Sequence, residues 1–362
     1  MIPFIDFKRE YSFIKKEIDE AISRVLERGR FILGPEVENF EKSFARYCGT
    51  KYCVGVNSGT DALYLSLLCV GIGRGDEVVV PVNTALPTAM AVLMSGARPI
   101  FVDCDESFLS NLNQTAKIIN KKTRAIIAVH LYGRACNMEK LKKIAGARNL
   151  VLIEDCAQAS GAFWKNRKVG NWGDFGCFSF YPTKNLGAYG DGGAIITNNK
   201  NYYDKLLAMR FYGQPDRIKC LMFGVNSRLD ELQAAILNVK LKYLDTWNKK
   251  RREIAGLYRR FITNQEVILP EAKDKKGHVH HLFVVRSKKR NVLMNSLKNG
   301  GVQIMIHYPV PLHQQPIFQN NIKGSFPHAE LYSSEIFSLP MHPFLQEKEI
   351  KKVADILNEK TK

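Results

Sequence analysis

Between Tyr11 and Glu27 the apolar residues Phe13, Ile14, Ile18, Ile22, Val25 and Leu26 recur three and four apart, which predicts an amphipathic helix with one packed face. Gly34 to Tyr47 reads as a loop and a second helix. The pattern then changes to short apolar runs, KYCVGV, EVVVPV, RPIFVDCD, RAIIAVHLY and LVLIED, which suit buried strands. Helical segments alternate with them: NSGTDALYLSLLCV, a stretch ending at Met94, Gln114 to Ile119, and Met138 to Ala145. Strand and helix in alternation predict an α/β fold whose mostly parallel sheet is covered on both faces. A further strand at Cys177 to Tyr181 leads into a turn rich in glycine (Gly187, Gly190, Gly192, Gly193). Past it, one long helical pattern runs from Leu229 to Phe261. After a polar segment, HHLFVVR and QIMIHYP read as strands, with helices at Asn291 to Lys298, His328 to Phe337 and Gln346 to Leu357.

A chain of 362 residues is long for one core. The patterns divide it into a large domain, residues 1–245, and a small C-terminal α/β domain, residues 246–362. From Val78 to Ala97 no charge appears, long enough to raise a membrane helix, but Pro81, Asn83, Thr84 and Pro87 interrupt it and favour a strand followed by a buried helix. Charges also come too early in MIPFIDFKREY for a signal peptide.

Lys and Arg number 53 against 35 Asp and Glu, a formal net charge of +18. Such a balance raises nucleic-acid binding. The positives are dispersed, however, at Lys121 and Lys122, Lys142 and Lys143, Lys249 to Arg252, Lys273 to Lys276 and Lys288 to Arg290, several beside acids. A solvated surface explains them, and a positive field also suits an anionic small substrate. Cysteines stand singly at 48, 53, 69, 104, 136, 156, 177 and 220, with no CxxC pair. That spacing argues for packed, reduced thiols in a cytoplasmic protein, with neither a disulfide frame nor a metal site.

The chemistry concentrates between Ile153 and Gly193. Lys184 sits between an apolar strand and a glycine-rich turn, an odd place for a lysine that serves only solubility. Partial burial there would lower its pKa, as an amine needs if it is to form an imine with pyridoxal 5'-phosphate and then act as a base. The same cofactor needs an anion at its ring nitrogen. Asp155 ends a buried apolar run, where carboxylates face the ligand crevice of α/β sheets, and Gln158 is placed to bond the ring hydroxyl. Upstream, Gly59 and Thr60 open a helix after a strand, so free N–H groups can cradle a phosphate. Each feature has a plainer reading. Asp155 and the Ser-Gly-Thr-Asp run also make ordinary helix caps, and Lys184 alone is also a turn residue.

IEDCAQASGA followed by GDFGCFSFYPTKNLGAYGDGG resembles the signature of the DegT/DnrJ/EryC1/StrS sugar aminotransferases. GRFILGPEVENFE, GVNSGTDAL, GDEVVVPVNT, FVDCD, AVHLYG, NSRLDELQAAIL and HYPVPLHQQP follow in family order, so the resemblance spans nearly the whole chain. It implies a fold-type I aminotransferase: a large domain with a mostly parallel seven-stranded sheet and a small α/β domain. It also implies a two-stage transfer from L-glutamate, through pyridoxamine phosphate, to a nucleotide-linked keto sugar. By the same resemblance Lys184 and Asp155 are catalytic, and Ser179 joins Gly59, Thr60, Ala85, Gln158 and Asn226 around the cofactor. Asn226 would reach the cofactor phosphate of the other subunit of a homodimer, though it or Ser227 also reads as a helix cap. Tyr181, His307, Tyr308 and His313 fall where the family places groups facing the substrate; histidines beside prolines are as often ordinary loop residues. One departure is Ala85, which stands where the family commonly has an aromatic that stacks on the cofactor ring, so Leu86 or a residue elsewhere must cover that face. A related branch that dehydrates keto-deoxysugars carries histidine at the place of Lys184. A nucleic-acid-binding regulator is the remaining alternative.

Overall fold

The computed structural model describes residues 1–216, 218–271, 276–321 and 324–359. Of the Lys273 to Lys276 cluster, only Lys276 falls within them.

The large sheet contains β1 (Tyr52–Val56), β2 (Glu77–Pro81), β3 (Arg98–Val102), β4 (Thr123–Val129) and β5 (Val151–Asp155). After a ribbon of β6 (Phe163–Trp164) and β7 (Arg167–Lys168) it adds β8 (Phe175–Ser179) and β9 (Gly193–Thr197). The seven strands lie in the order β1-β9-β8-β5-β4-β2-β3. Only β9 opposes the rest: β1 and β8 pair antiparallel to it, and the other neighbours are parallel. The fold is therefore the mostly parallel α/β architecture that the alternating pattern predicts.

Helices α1 (Phe7–Arg28), α2 (Pro35–Cys48), α3 (Gly59–Cys69), α4 (Leu86–Met94), α5 (Leu112–Ile118), α6 (Met138–Gly146) and α7 (Lys200–Met209) belong with this sheet. Side-chain alternation on its strands feeds two cores. Phe175, Cys177 and Ile195 pack with Leu63, Leu65 and Leu67 of α3 on one face. Phe178, Ala194 and Ile196 pack with Phe40 and Phe44 of α2 on the other. Every residue of β2 is buried. That matches a strand covered on both faces, and the charge-free stretch is thereby divided into β2 and α4. Among the described residues no helix is long and apolar enough to cross a membrane. Seven of the cysteines are buried, and Cys220 is exposed; all are free thiols.

The expected single helix from Leu229 is two, α8 (Glu231–Leu241) and α9 (Leu244–Phe261). No Gly or Pro marks the break. Instead the chain tightens at Lys242 and Tyr243, whose N–H groups bond Val239 O and Lys240 O, and Tyr243 bonds Glu17 through its hydroxyl and stacks on Trp247 at 5.6 Å. Beyond α9 come β10 (Phe283–Arg286), α10 (Arg290–Asn299), α11 (Pro327–Glu335), β11 (Ile336–Leu339) and α12 (Glu347–Asn358). Here the structure departs from the pattern. QIMIHYP is no strand and makes one isolated bridge, Met305 with Ser338, just after Val302 bridges Ile2. The strand that pairs β10 is β11, which takes Ile336 and Phe337 from the end of the expected helix.

A third core joins Ile254 and Tyr258 of α9 to Phe283, Leu293, Phe337 and Val353. Tyr258 is fully buried and donates its hydroxyl to Pro340 O at 2.9 Å, the partner that a buried phenol requires. Ile2 packs here too, although it opens the chain, while the 245/246 division falls in the first turn of α9.

Candidate active site

The C-terminal ends of β4, β5 and β8 and the N-terminal ends of α3 and α4 converge on a cavity of about 220 Å³. Its lining includes Gly59, Thr60, Ala85, Thr88, Asp155, Gln158, Ser179, Tyr181 and Lys184. This is the crevice where parallel α/β sheets hold ligands.

Lys184 stands in the turn that leaves β8, with its backbone N–H donated to Tyr181 O at 2.9 Å. Burial pushes its ammonium below the ordinary lysine range, and nearby Asp155 opposes that push. The result is an amine with more free base at neutral pH than a surface lysine has.

Asp155 terminates β5 and is 5% exposed. Its Oδ2 accepts the Thr88 hydroxyl at 2.8 Å, and its Oδ1 accepts the Ala157 N–H at 3.1 Å. Burial raises its pKa, while those two donors and then the Lys184 charge pull it back. The carboxylate is thus fixed in direction and kept available for a cationic partner. Thr88, whose hydroxyl also lies 3.2 Å from that of Thr84, was not signalled by the sequence. It lies on the apolar helix α4, with nothing in its spacing to separate it from a packing residue.

Across the cavity, Ser58 caps α3 by accepting the Asp61 N–H at 3.1 Å. The Gly59 and Thr60 N–H groups precede the first intrahelical bond, from Ala62 to Ser58 O, and face the cavity end of the helix dipole. A Cβ on Gly59 would lie 2.7 Å from Ser179 Cβ, so only glycine lets this helix start approach β8. A phosphate fits between these groups.

Gln158 is held at both ends: its Oε1 accepts the Tyr132 N–H at 2.6 Å and its Nε2 donates to Tyr308 Oη at 2.9 Å. One N–H remains for a ligand. His307 bonds Ser338 Oγ through Nδ1 at 2.9 Å, and its carbonyl accepts the Tyr132 hydroxyl. Burial and the Lys184 charge take the His307 imidazole down to about 4, and burial takes Tyr308 up to about 12, so both are neutral near pH 7. His281, not anticipated, is also buried, feels Lys184, and lies 3.2 Å through Nδ1 from Oδ1 of Asn185.

Three other residues singled out in the sequence stand differently. His313 lies outside the cavity lining, as His307 and Tyr308 also do, but it is paired with Glu330 at 2.9 Å whereas Tyr308 bonds the lining residue Gln158. Asn226 is exposed, bridged to Phe211, and does not line its own chain's cavity. Ala85 lines the wall, whereas Leu86 is 42% exposed and turned away.

Amine, buried carboxylate, open helix N-terminus and hydroxyl within one cavity fit pyridoxal phosphate. The model of the DegT/DnrJ/EryC1/StrS aminotransferase family matches residues 12–358. The chain belongs to that family. The aminotransferase is 47% identical to the dTDP-3-amino-3,6-dideoxy-alpha-D-galactopyranose transaminase of Aneurinibacillus thermoaerophilus, over 99% of either chain. It is 41% identical to the dTDP-3-amino-3,4,6-trideoxy-alpha-D-glucose transaminase of Streptomyces venezuelae, covering 99% of this chain and 96% of that one. The crystal structure of S. venezuelae DesV superposes with a TM-score of 0.96 at 41% identity, covering 99% and 98% of the two chains. The protein is a pyridoxal-phosphate-dependent aminotransferase of fold type I.

Proposed function

We propose that this aminotransferase moves the amino group of L-glutamate to a 3-oxo deoxyhexose carried on a nucleoside diphosphate, in cytoplasmic amino-sugar biosynthesis. The observation that carries the reading is Lys184, partly buried and opposite Asp155 in a cavity closed at one end by a helix N-terminus. Both relatives described above are named for 3-amino products, which supports the C3 position.

Pyridoxal phosphate supplies an aldehyde that captures amines and a protonated ring that accepts the electron pair of a broken Cα–H bond. Gly59, Thr60 and Ser179 would hold its phosphate. Asp155 would keep a proton on the ring nitrogen, and Gln158 would meet the ring hydroxyl. Lys184 Nζ would take the proton from the donor Cα and hold it for return, and with the sugar it would run the same proton backwards. Tyr181 faces the sugar, and His307 and Tyr308 serve it as neutral hydrogen-bonding groups. Lysine at position 184 favours transfer over the dehydrating branch, which has histidine there.

Enzyme loaded with pyridoxamine phosphate is expected to be discharged by a dTDP-linked 3-oxo-6-deoxyhexose and regenerated by L-glutamate. Stopped-flow absorbance follows both halves. Discharge by a 4-oxo sugar at equal or greater rate overturns the C3 assignment, and no discharge by any nucleotide sugar overturns the substrate class.

The homodimer belongs to the same proposal. Asn226 sits beside an exposed apolar segment, with Tyr212, Ile218, Leu221 and Phe223 between 47% and 78% exposed. A second copy covering that face would bring Asn226 to the partner's phosphate. Losing one hydrogen bond to a charged oxygen costs about 1.5–3 kcal/mol, so Asn226→Ala is expected to weaken cofactor binding by about one to two decades. Mixed dimers of Lys184→Ala and Asn226→Ala chains would then carry one doubly damaged site and one intact site with normal cofactor affinity. Activity that appears only with added cofactor would mean that both residues serve the same chain's site.

A further inference from the structure

Lys240 lies on α8 and has no exposed surface, at 0%. Its Nζ donates to Gly187 O at 2.8 Å, lies 2.5 Å from Glu10 Oε1 of α1, and sits 4.0 Å from the centroid of the Tyr189 ring. Burial lowers its pKa and Glu10 counters this. Burying an ammonium is costly, and an apolar side chain of similar volume often gives equal stability. A charge kept in such a place therefore suggests a positional role, and its partners say where.

Gly187 and Tyr189 belong to the turn that carries Lys184. That turn is closed by Lys184 N–H to Tyr181 O at 2.9 Å and Ala188 N–H to Phe180 O at 2.7 Å. It is tight enough that a Cβ on Gly187 would lie 2.2 Å from Pro182 O. A second contact from the same helix meets its far end, where Gln233 Oε1 accepts the Tyr189 N–H at 2.9 Å.

We infer that Lys240 and Gln233 are positioning residues, a clamp from α8 that sets the register of the turn and so the place from which the Lys184 side chain enters the cavity. The inference rests on the reading of Lys184 as the transferring amine. An ammonium aimed at one carbonyl fixes the turn along its length, and the Gln233 amide fixes its exit. Neither residue lines the cavity; both act through Lys184.

Displacing a reacting group by about 1 Å can cost about 10²-fold in rate. Lys240→Met, which keeps the volume and removes the charge, is expected to lower kcat by about 10- to 100-fold with KM for glutamate changed by less than about threefold. The deciding readout is hydrogen exchange of the full chain, with and without cofactor. The peptide spanning residues 182–189 should exchange about tenfold faster in the variant while β5 and β8 stay protected. Gln233→Met should loosen the same peptide by a smaller factor, and it decides the question alone if Lys240→Met does not fold. Wild-type exchange at the turn in the folded variants overturns the clamp, as does faster exchange with unchanged kcat. Because the exchange measurement does not depend on the chemistry of Lys184, failure of the clamp and failure of the Lys184 assignment are told apart.

Discussion

A Lys184→Ala chain is expected to fold and dimerise normally and to lose turnover by more than about 10⁴-fold, since one substitution removes a covalent anchor and a general acid–base group together. The fold survives because Lys184 belongs to none of the packed cores. Its backbone bond to Tyr181 O does not involve the side chain. The lowered pKa makes the prediction specific. A base depressed by burial is charged only at lower pH, so activity that depends on the free amine rises with pH up to that pKa and is then level. Single-turnover discharge of the glutamate half-reaction measures the loss, and thermal melting checks the fold. A variant rate within tenfold of wild type would sink the assignment of Lys184.

The alternation of strand and helix was readable because parallel strands buried on both faces leave continuous apolar runs, as β2 and β4 do. β9 was harder. GAIIT is short, follows a glycine-rich turn, and becomes a strand only through the partners β1 and β8 on either side. The same applies to β11, whose four residues continue a helical pattern and are drawn into pairing by β10. The break between α8 and α9 carries no Gly or Pro and coincides with a tertiary contact, Tyr243 to Glu17 of α1.

At the site, residues with distinctive chemistry in a short window, such as Lys184 and Asp155, were legible. Thr88 and His281 were not, since their importance lies in contacts with Asp155 and Asn185 that span 67 and 96 residues of sequence. His313 stands apart from the cavity lining. A histidine in a proline-rich loop looks chemical, yet its partner is Glu330 in α11.

Asp155→Asn tests the other half of the mechanism and is expected to slow both half-reactions by about 10²- to 10³-fold, the scale seen when one preorganised electrostatic group is removed from a water-poor site. Asparagine fills the same space, and its amide oxygen can still accept from Ala157 or Thr88, so cofactor binding should change much less than rate. What disappears is the negative charge that, in the proposed mechanism, holds a proton on the ring nitrogen. Thr88 supplies a graded version of the same test. Its hydroxyl donates to Asp155 Oδ2 at 2.8 Å and favours the charged carboxylate, which lowers the Asp155 pKa against the upward push of burial. Thr88→Val removes that donor, so the pKa rises and the carboxylate is protonated at higher pH. The acid limb of the kcat profile should therefore move upward in pH, with the plateau above it nearly retained. In Asp155→Asn the plateau itself falls, because no pH restores the charge. Equal glutamate half-reaction rates in wild type and Asp155→Asn across the pH range would mean that another anion serves the ring, and that Asp155 only ties β5 to α4.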